Sequence, residues 1–188
     1  MSLKPLTSIK GADFEFENAT VRVVAVRSCP EVGLAGLEIG PFEEGREYEV
    51  RFWVARELEK AGIARFREEE RLDSVMLYKI HWKERVQPLK RVSSLPENFY
   101  PKLRRYLADL KSEAARSAEK MREYEKVVKL SNDVISTRLN KIVSLSASPV
   151  EVNEVLQSLA LEERILYDRL HEIISEWRSH ILTGGSMP

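Results

Sequence analysis

The stretch from Ala118 to Leu145 limits the fold more than any other part of this chain. Apolar residues recur at Met121, Tyr124, Val128, Ile135, Leu139, Ile142 and Val143, and a second row runs through Val127, Leu130, Val134 and Leu145. Steps of three and four residues are the signature of a helix. At about 100° per residue the two rows together sweep roughly 220° of its surface, whereas a helix with one buried side shows a stripe of about 100°. Such a helix needs cover from more than one direction. An ordinary bundle core is the simpler reading. The sharper one adds a second polypeptide, because the other helices of a single copy are barely enough to wrap both sides.

Those other helices are legible around it. Leu95-Pro96-Glu97-Asn98-Phe99-Tyr100 opens a stripe that continues through Leu103, Leu107 and Leu110. Ser148-Pro149-Val150-Glu151 carries a start signal, with Ser148 as N-cap, Pro149 at the first helical position and Glu151 closing a capping box. A last helix places Leu166, Leu170, Ile173, Ile174, Trp177 and Ile181 on one side, and Gly184-Gly185 ends it. The reading gives an α-helical domain over residues 91–188, with 183–188 frayed.

The first half has a different rhythm. Residues up to Asn18 show little pattern. Thr20 to Val26 is β-branched and reads as a strand, followed by a turn at Cys29 to Gly33 and a second strand from Leu34 to Ile39. Gly40 to Gly45 is a further turn region, and Glu47 to Val50 a brief strand. Phe52 to Ala61 turns helical, with Trp53 as the large core anchor and Gly62 as the stop; Ile63 to Arg67 alternates as a short strand. Asp73 caps a helix from Ser74 to about Arg85, with Met76, Leu77, Ile80 and Trp82 apolar. The fold class is therefore α+β: a small mixed domain with a short antiparallel sheet over residues 1–90, then a mainly α-helical bundle. Pro88 to Ser94 is the expected boundary.

Composition narrows the function. The 188 residues carry 30 Lys+Arg and 30 Asp+Glu, a formal net charge of zero. A protein that grips nucleic acid through phosphates needs a basic surplus or stripe. DNA as the primary ligand is thus disfavoured, with Lys102, Arg104 and Arg105 as the local patch an alternative DNA-binding reading would use. The single cysteine, Cys29, leaves no internal disulfide framework and no cysteine-based zinc site. The three histidines, His81, His171 and His180, lack a shared ligand spacing. No phosphate-cradling glycine loop, nucleophile elbow or dinucleotide fingerprint occurs. Glu68-Glu69-Glu70 lies between Arg67 and Arg71 as a charge-compensated turn, and Glu162 and Glu163 are adjacent helix positions that do not converge. Catalysis, cofactors and metals are not expected. With no signal peptide or membrane-length apolar run, the expectation is a soluble, intracellular protein. A content of 32% charged residues with few Gln and Asn suits a hyperthermophile rich in surface ion pairs.

Gly40-Pro41-Phe42-Glu43-Glu44-Gly45, then Glu49-Val50, then Trp53-Val54-Ala55 and Leu58 resembles the small-domain motif of GINS subunits. Gly62 to Arg67 and Leu95 to Tyr100 follow in the family's order. The match is specific over about Gly40 to Tyr100 and architectural afterwards. It looks like the archaeal-type branch with the small β-rich domain first and the α-helical domain second. One departure is Arg51, where a proline commonly precedes the aromatic helix start. The resemblance implies a non-catalytic subunit of a replication-fork scaffold. That scaffold is a hetero-tetramer with two copies each of this subunit and one of opposite domain order. The implied partners are the MCM helicase, which it would activate, a RecJ-like protein and primase, with DNA contacted at most indirectly and no membrane. The implied location is cytoplasmic, on the replicating chromosome. From the apolar stripes, the candidate subunit contacts are Met121, Tyr124, Val128, Ile135, Leu170, Ile174 and Trp177.

Overall fold

The computed structural model describes residues 5–67, 71–89, 91–148 and 153–183. The start signal at Ser148 to Glu151 and the terminator Gly184-Gly185 lie partly or wholly outside them. Two compact units are present, one over residues 10–72 and one over 73–188 together with 1–9. The order of elements is α1 (Pro5–Asn18), β1 (Thr20–Ala25), β2 (Val32–Leu34), β3 (Leu37–Ile39), β4 (Glu47–Arg51), α2 (Phe52–Lys60), β5 (Ala64–Phe66), α3 (Ser74–Val86), α4 (Phe99–Ala114), α5 (Ala118–Ser146), α6 (Asn153–Leu156) and α7 (Leu161–Leu182). An α+β chain with the sheet first and the helical bundle second is what the sequence patterns predict.

In the small unit, β1 is the central strand of an antiparallel sheet ordered β4-β1-β5. Alternation buries Val21, Val23 and Ala25 on one face. Phe52, Val54, Ala55 and Leu58 of α2 close over that face, and Phe16 of α1 stacks on Phe52 with ring centroids 4.3 Å apart. Gly62, at φ 66°, takes the left-handed conformation that ends α2. Arg51 precedes α2 at φ −64°, the value a proline would have fixed, so the departure from the family pattern leaves the helix start unchanged at Phe52.

Three expectations are corrected here. Pro5–Asn18 forms a helix, held in the small unit by Ala12 and Phe16, one turn apart and both buried. Two anchors in so polar a segment leave almost no periodic trace. The strand expected from Leu34 to Ile39 is a hairpin, β2 against β3, turning through Ala35 at φ 48° and Gly36 at φ 81°. Two consecutive positive φ angles make the tight turn that matches strand twist. Trp53 is only partly buried and packs at the margin of a core whose centre is Phe52.

The helical unit is built on α5, which packs against α3, α4 and α7. Asp73 caps α3 by accepting from the Met76 N–H at 2.7 Å, and Ser117 caps α5 from the Lys120 N–H at 3.2 Å. α3 buries Leu77, Ile80 and Glu84. Because Glu84 bonds directly to α5, α3 belongs to the helical unit, and the compact units divide between Leu72 and Asp73. That moves the division away from the boundary expected near residue 90, at Pro88 to Ser94. In the segment that reads as a linker, Val92 and Ser93 are buried, and the Ser93 carbonyl accepts from Arg138 of α5.

Candidate functional site

The two apolar rows of α5 have different fates. Val127 and Val134 of the second row are buried, and Leu130 and Leu145 are half-buried; Ile142, which the spacing groups with the first row, is buried with them instead. The other row stays open: Met121 is 43% exposed, and Ile135, Leu139 and Val143 are similarly uncovered, with Tyr124 and Val128 half-buried between them. Three helices of the chain therefore cover one side of α5 and leave the adjacent side to solvent.

The inner row is not apolar throughout. Between Val134 and Ile142 it carries Arg138 and Lys141, which are almost fully buried, together with Glu84 of α3 and Glu163 of α7. Arg138 bridges the two carboxylates. Its Nη1 donates to Glu84 Oε1 at 2.6 Å and to the Ser93 carbonyl at 2.9 Å; its Nη2 donates to Glu163 Oε2 at 2.7 Å, and its Nε to Glu163 Oε1. Lys141 Nζ donates to Glu84 Oε2 at 2.8 Å and to the Glu84 carbonyl at 2.9 Å. Ser93 Oγ also donates to Glu84, Tyr100 Oη donates to Glu163 Oε1 at 2.6 Å, and the Ala160 N–H donates to Glu163 Oε2 at 2.9 Å. Two cations face two anions, and all four helices α3, α4, α5 and α7 meet there.

Burial pushes the Glu84 carboxyl up, but hydrogen bonds from Lys141 and Ser93 and the charges of Arg138 and Lys141 outweigh it and hold the group below the ordinary carboxylate value. Burial, then the charge of Glu163, pushes the Tyr100 phenol well above its ordinary value, so it stays a donor. Held in this way, the Glu84 carboxylate is a poor proton acceptor at neutral pH. What the cluster can do is fix the register of four helices.

α7 follows α5 in the same direction, since Glu163 meets Arg138 and His171 Nδ1 lies 3.1 Å from the Ser146 carbonyl, eight residues further along each helix. α5 ends at Ser146, so α7 continues past it. On that continuation Ile173, Trp177, Ile181 and Leu182 are exposed, Trp177 by 62%, and Ile174 is half-buried. Leu170 packs partly against Ile142, Leu156 and Tyr167. Each of the seven candidate contact residues is thus half-buried or exposed, and Leu139 and Val143 extend their stripe.

Arg104 binds Glu162 at 3.2 Å, and Lys102 and Arg105 are half-buried, so these three do not form an open cationic stripe. Among the described residues no group of three or more His, Cys, Asp or Glu is placed to hold a metal ion, and no helix is long and apolar enough to cross a membrane. Sequence reasoning missed the buried ionic cluster. Its charged members lie on three separate helices, α3, α5 and α7, and Glu163 sits beside Glu162 in what reads as a solvated pair. The one available signal was that Arg138 and Lys141 interrupt an otherwise apolar row on α5. No curated protein matches the chain. A family model does: Sld5, the GINS complex protein helical bundle domain, matches residues 71–182, the span from just before α3 to the end of α7.

Proposed function

Because the chain belongs to the GINS family, and so is a subunit of the GINS complex of DNA replication, we propose that it is the subunit with the small β-rich domain first. It assembles with a subunit of opposite domain order into a hetero-tetramer of two copies each. It acts without catalysis, as a scaffold that binds and activates the MCM helicase and engages a RecJ-like protein. Primase is a further contact, and the setting is an archaeal cytoplasm, on the replicating chromosome. The placement of the sheet-containing unit before the matched helical residues supports the branch.

The observation that carries the assembly reading is the open row of α5, with the projecting end of α7. Met121, Tyr124, Val128, Ile135, Leu170, Ile174 and Trp177 are apolar or aromatic and incompletely covered by their own chain. Apolar surface left open in this way marks an interaction site, and buried aromatics anchor such interfaces. The test is co-expression with the opposite-order subunit, followed by mass measurement of the purified complex. A hetero-tetramer that then retains MCM on an affinity column is the expected result. A monodisperse monomer that ignores that subunit would refute the reading.

A further inference from the structure

α3 presents a second apolar surface that the assembly reading does not use. It buries Leu77, Ile80 and Glu84 against the bundle. On the opposite side Val75, Tyr78, Trp82 and Val86 follow one another at three- and four-residue steps, and Leu89, just after the helix ends, is exposed as well. All five are more than half exposed, Trp82 by 62%. From Val75 to Val86 the stripe is about 16 Å long, three turns of helix.

The charges around it have one sign. At about 100° per residue, Lys79 and Lys83 lie along one flank of the stripe and Arg85 along the other. All three are exposed, and among the described residues none of them makes an ion pair. Arg91, just beyond Leu89, is exposed too. The only acids of this segment are already used: Asp73 accepts from the Met76 N–H, and Glu84 is buried beneath Arg138 and Lys141. In a chain of zero net charge, the outer face of α3 is an apolar ridge between cations with no free carboxylate of its own.

We infer that this face of α3 docks an acidic amphipathic helix of a partner protein. The partner's apolar residues cover Val75, Tyr78, Trp82 and Val86, and its flanking carboxylates meet Lys79, Lys83 and Arg85. Charge complementarity selects this occupant over the others. A second copy would bring the same cations against themselves, which costs rather than gains. Single-stranded nucleic acid would satisfy the lysines and stack on Tyr78 and Trp82, but bases gain little on the aliphatic Val75, Val86 and Leu89. A partner helix uses the whole stripe.

The experiment uses the full chain and a fluorescent peptide of about 14 residues, long enough to span ~21 Å as a helix, with leucines at helical spacing and glutamates on both flanks. Saturable binding is expected, weaker with added salt, and about tenfold tighter than for a scrambled peptide of equal composition. The variants W82A and K79E/K83E, both at exposed positions, are each expected to weaken it about tenfold while leaving the circular dichroism spectrum unchanged. Binding must also persist in the complex with the opposite-order subunit. Four results would overturn the inference: no saturable binding, equal affinity for the scrambled peptide, tighter binding and displacement by oligo-dT, or loss of binding in the assembled complex. The last would make the stripe a subunit contact.

Discussion

Arg138 on α5 and Glu163 on α7 face each other through paired N–H···O contacts, with both side chains almost fully buried. A guanidinium and a carboxylate in this geometry make the strongest class of protein hydrogen bond, but each has given up its water to do so. The pair therefore acts as a geometric key. It fixes where α7 sits along α5, and hence which residues the end of α7 carries past Ser146.

Removing one half of the key is costly. Arg138→Met leaves Glu163 buried without its cation and halves the positive charge beside Glu84. The expected loss is about 3–5 kcal/mol in unfolding free energy by urea titration. The double variant Arg138→Met with Glu163→Leu leaves Glu84 opposite Lys141, a balanced pair, and should recover more than half of that loss. Losses that merely add would show that the two side chains are not energetically coupled.

The acid limb of stability belongs to Glu84. Its carboxyl is held below the ordinary value of 4.5 in the folded chain. A lowered folded pKa contributes stability that is complete above the unfolded value and is lost as pH falls through the folded one. Wild type should exceed Glu84→Gln in melting temperature at neutral pH, with the gap closing once the pH drops below about 4.5. A gap that stays constant from neutral pH to strong acid would contradict this origin.

Tyr100 sets the opposite limb. Its phenol is raised well above the ordinary 10.0 by burial and by the Glu163 charge, so its contribution is complete below that pH and disappears as the pH rises beyond it. In an ultraviolet difference titration, Tyr100→Phe should leave the amplitude of the ordinary tyrosine transition unchanged and remove signal only from the step that accompanies alkaline unfolding. If the variant instead lost amplitude near the ordinary value, the phenol would not be donating to Glu163 as described.

What was legible in advance follows from how far apart in the chain the causes lie. Asp73 caps α3 and Gly62 ends α2 through their nearest neighbours, so both could be read from local residue types. The double apolar face of α5 is periodic within one helix, and its two rows resolve into a covered and an open side except at Ile142, which spacing groups with the open row and packing buries. The helix before Asn18 rests on Phe16 meeting Phe52, a contact across the small unit that leaves no local pattern. Glu84, Arg138, Lys141 and Glu163 look like solvated charges one at a time, and only the packed bundle brings them together. The same cause explains why the compact units divide before α3. Once Glu84 is tied to Arg138, α3 cannot belong to the sheet-containing unit.

Val134 and Ile135 are sequence neighbours, and the two sides of α5 give them opposite roles. Val134 is fully buried, whereas Ile135 is 39% exposed on the open row. Aspartate at 134 would bury a third carboxylate one turn from Arg138, whose N–H groups are already engaged by Glu84 and Glu163, and should cost about 3 kcal/mol or more, enough to unfold a marginal domain. Glutamate at 135 meets solvent in the isolated chain and should change its stability by no more than about 0.5 kcal/mol. Yet in the proposed hetero-tetramer the same glutamate would face another subunit's apolar surface, as would glutamate at Trp177, and both variants should abolish co-purification. The decisive comparison is thermal melting of each variant alone beside the mass of what it forms with the opposite-order subunit. An Ile135→Glu chain that melts normally and still assembles would place the subunit contact elsewhere; one that melts early would mean that the open row is covered within its own chain after all.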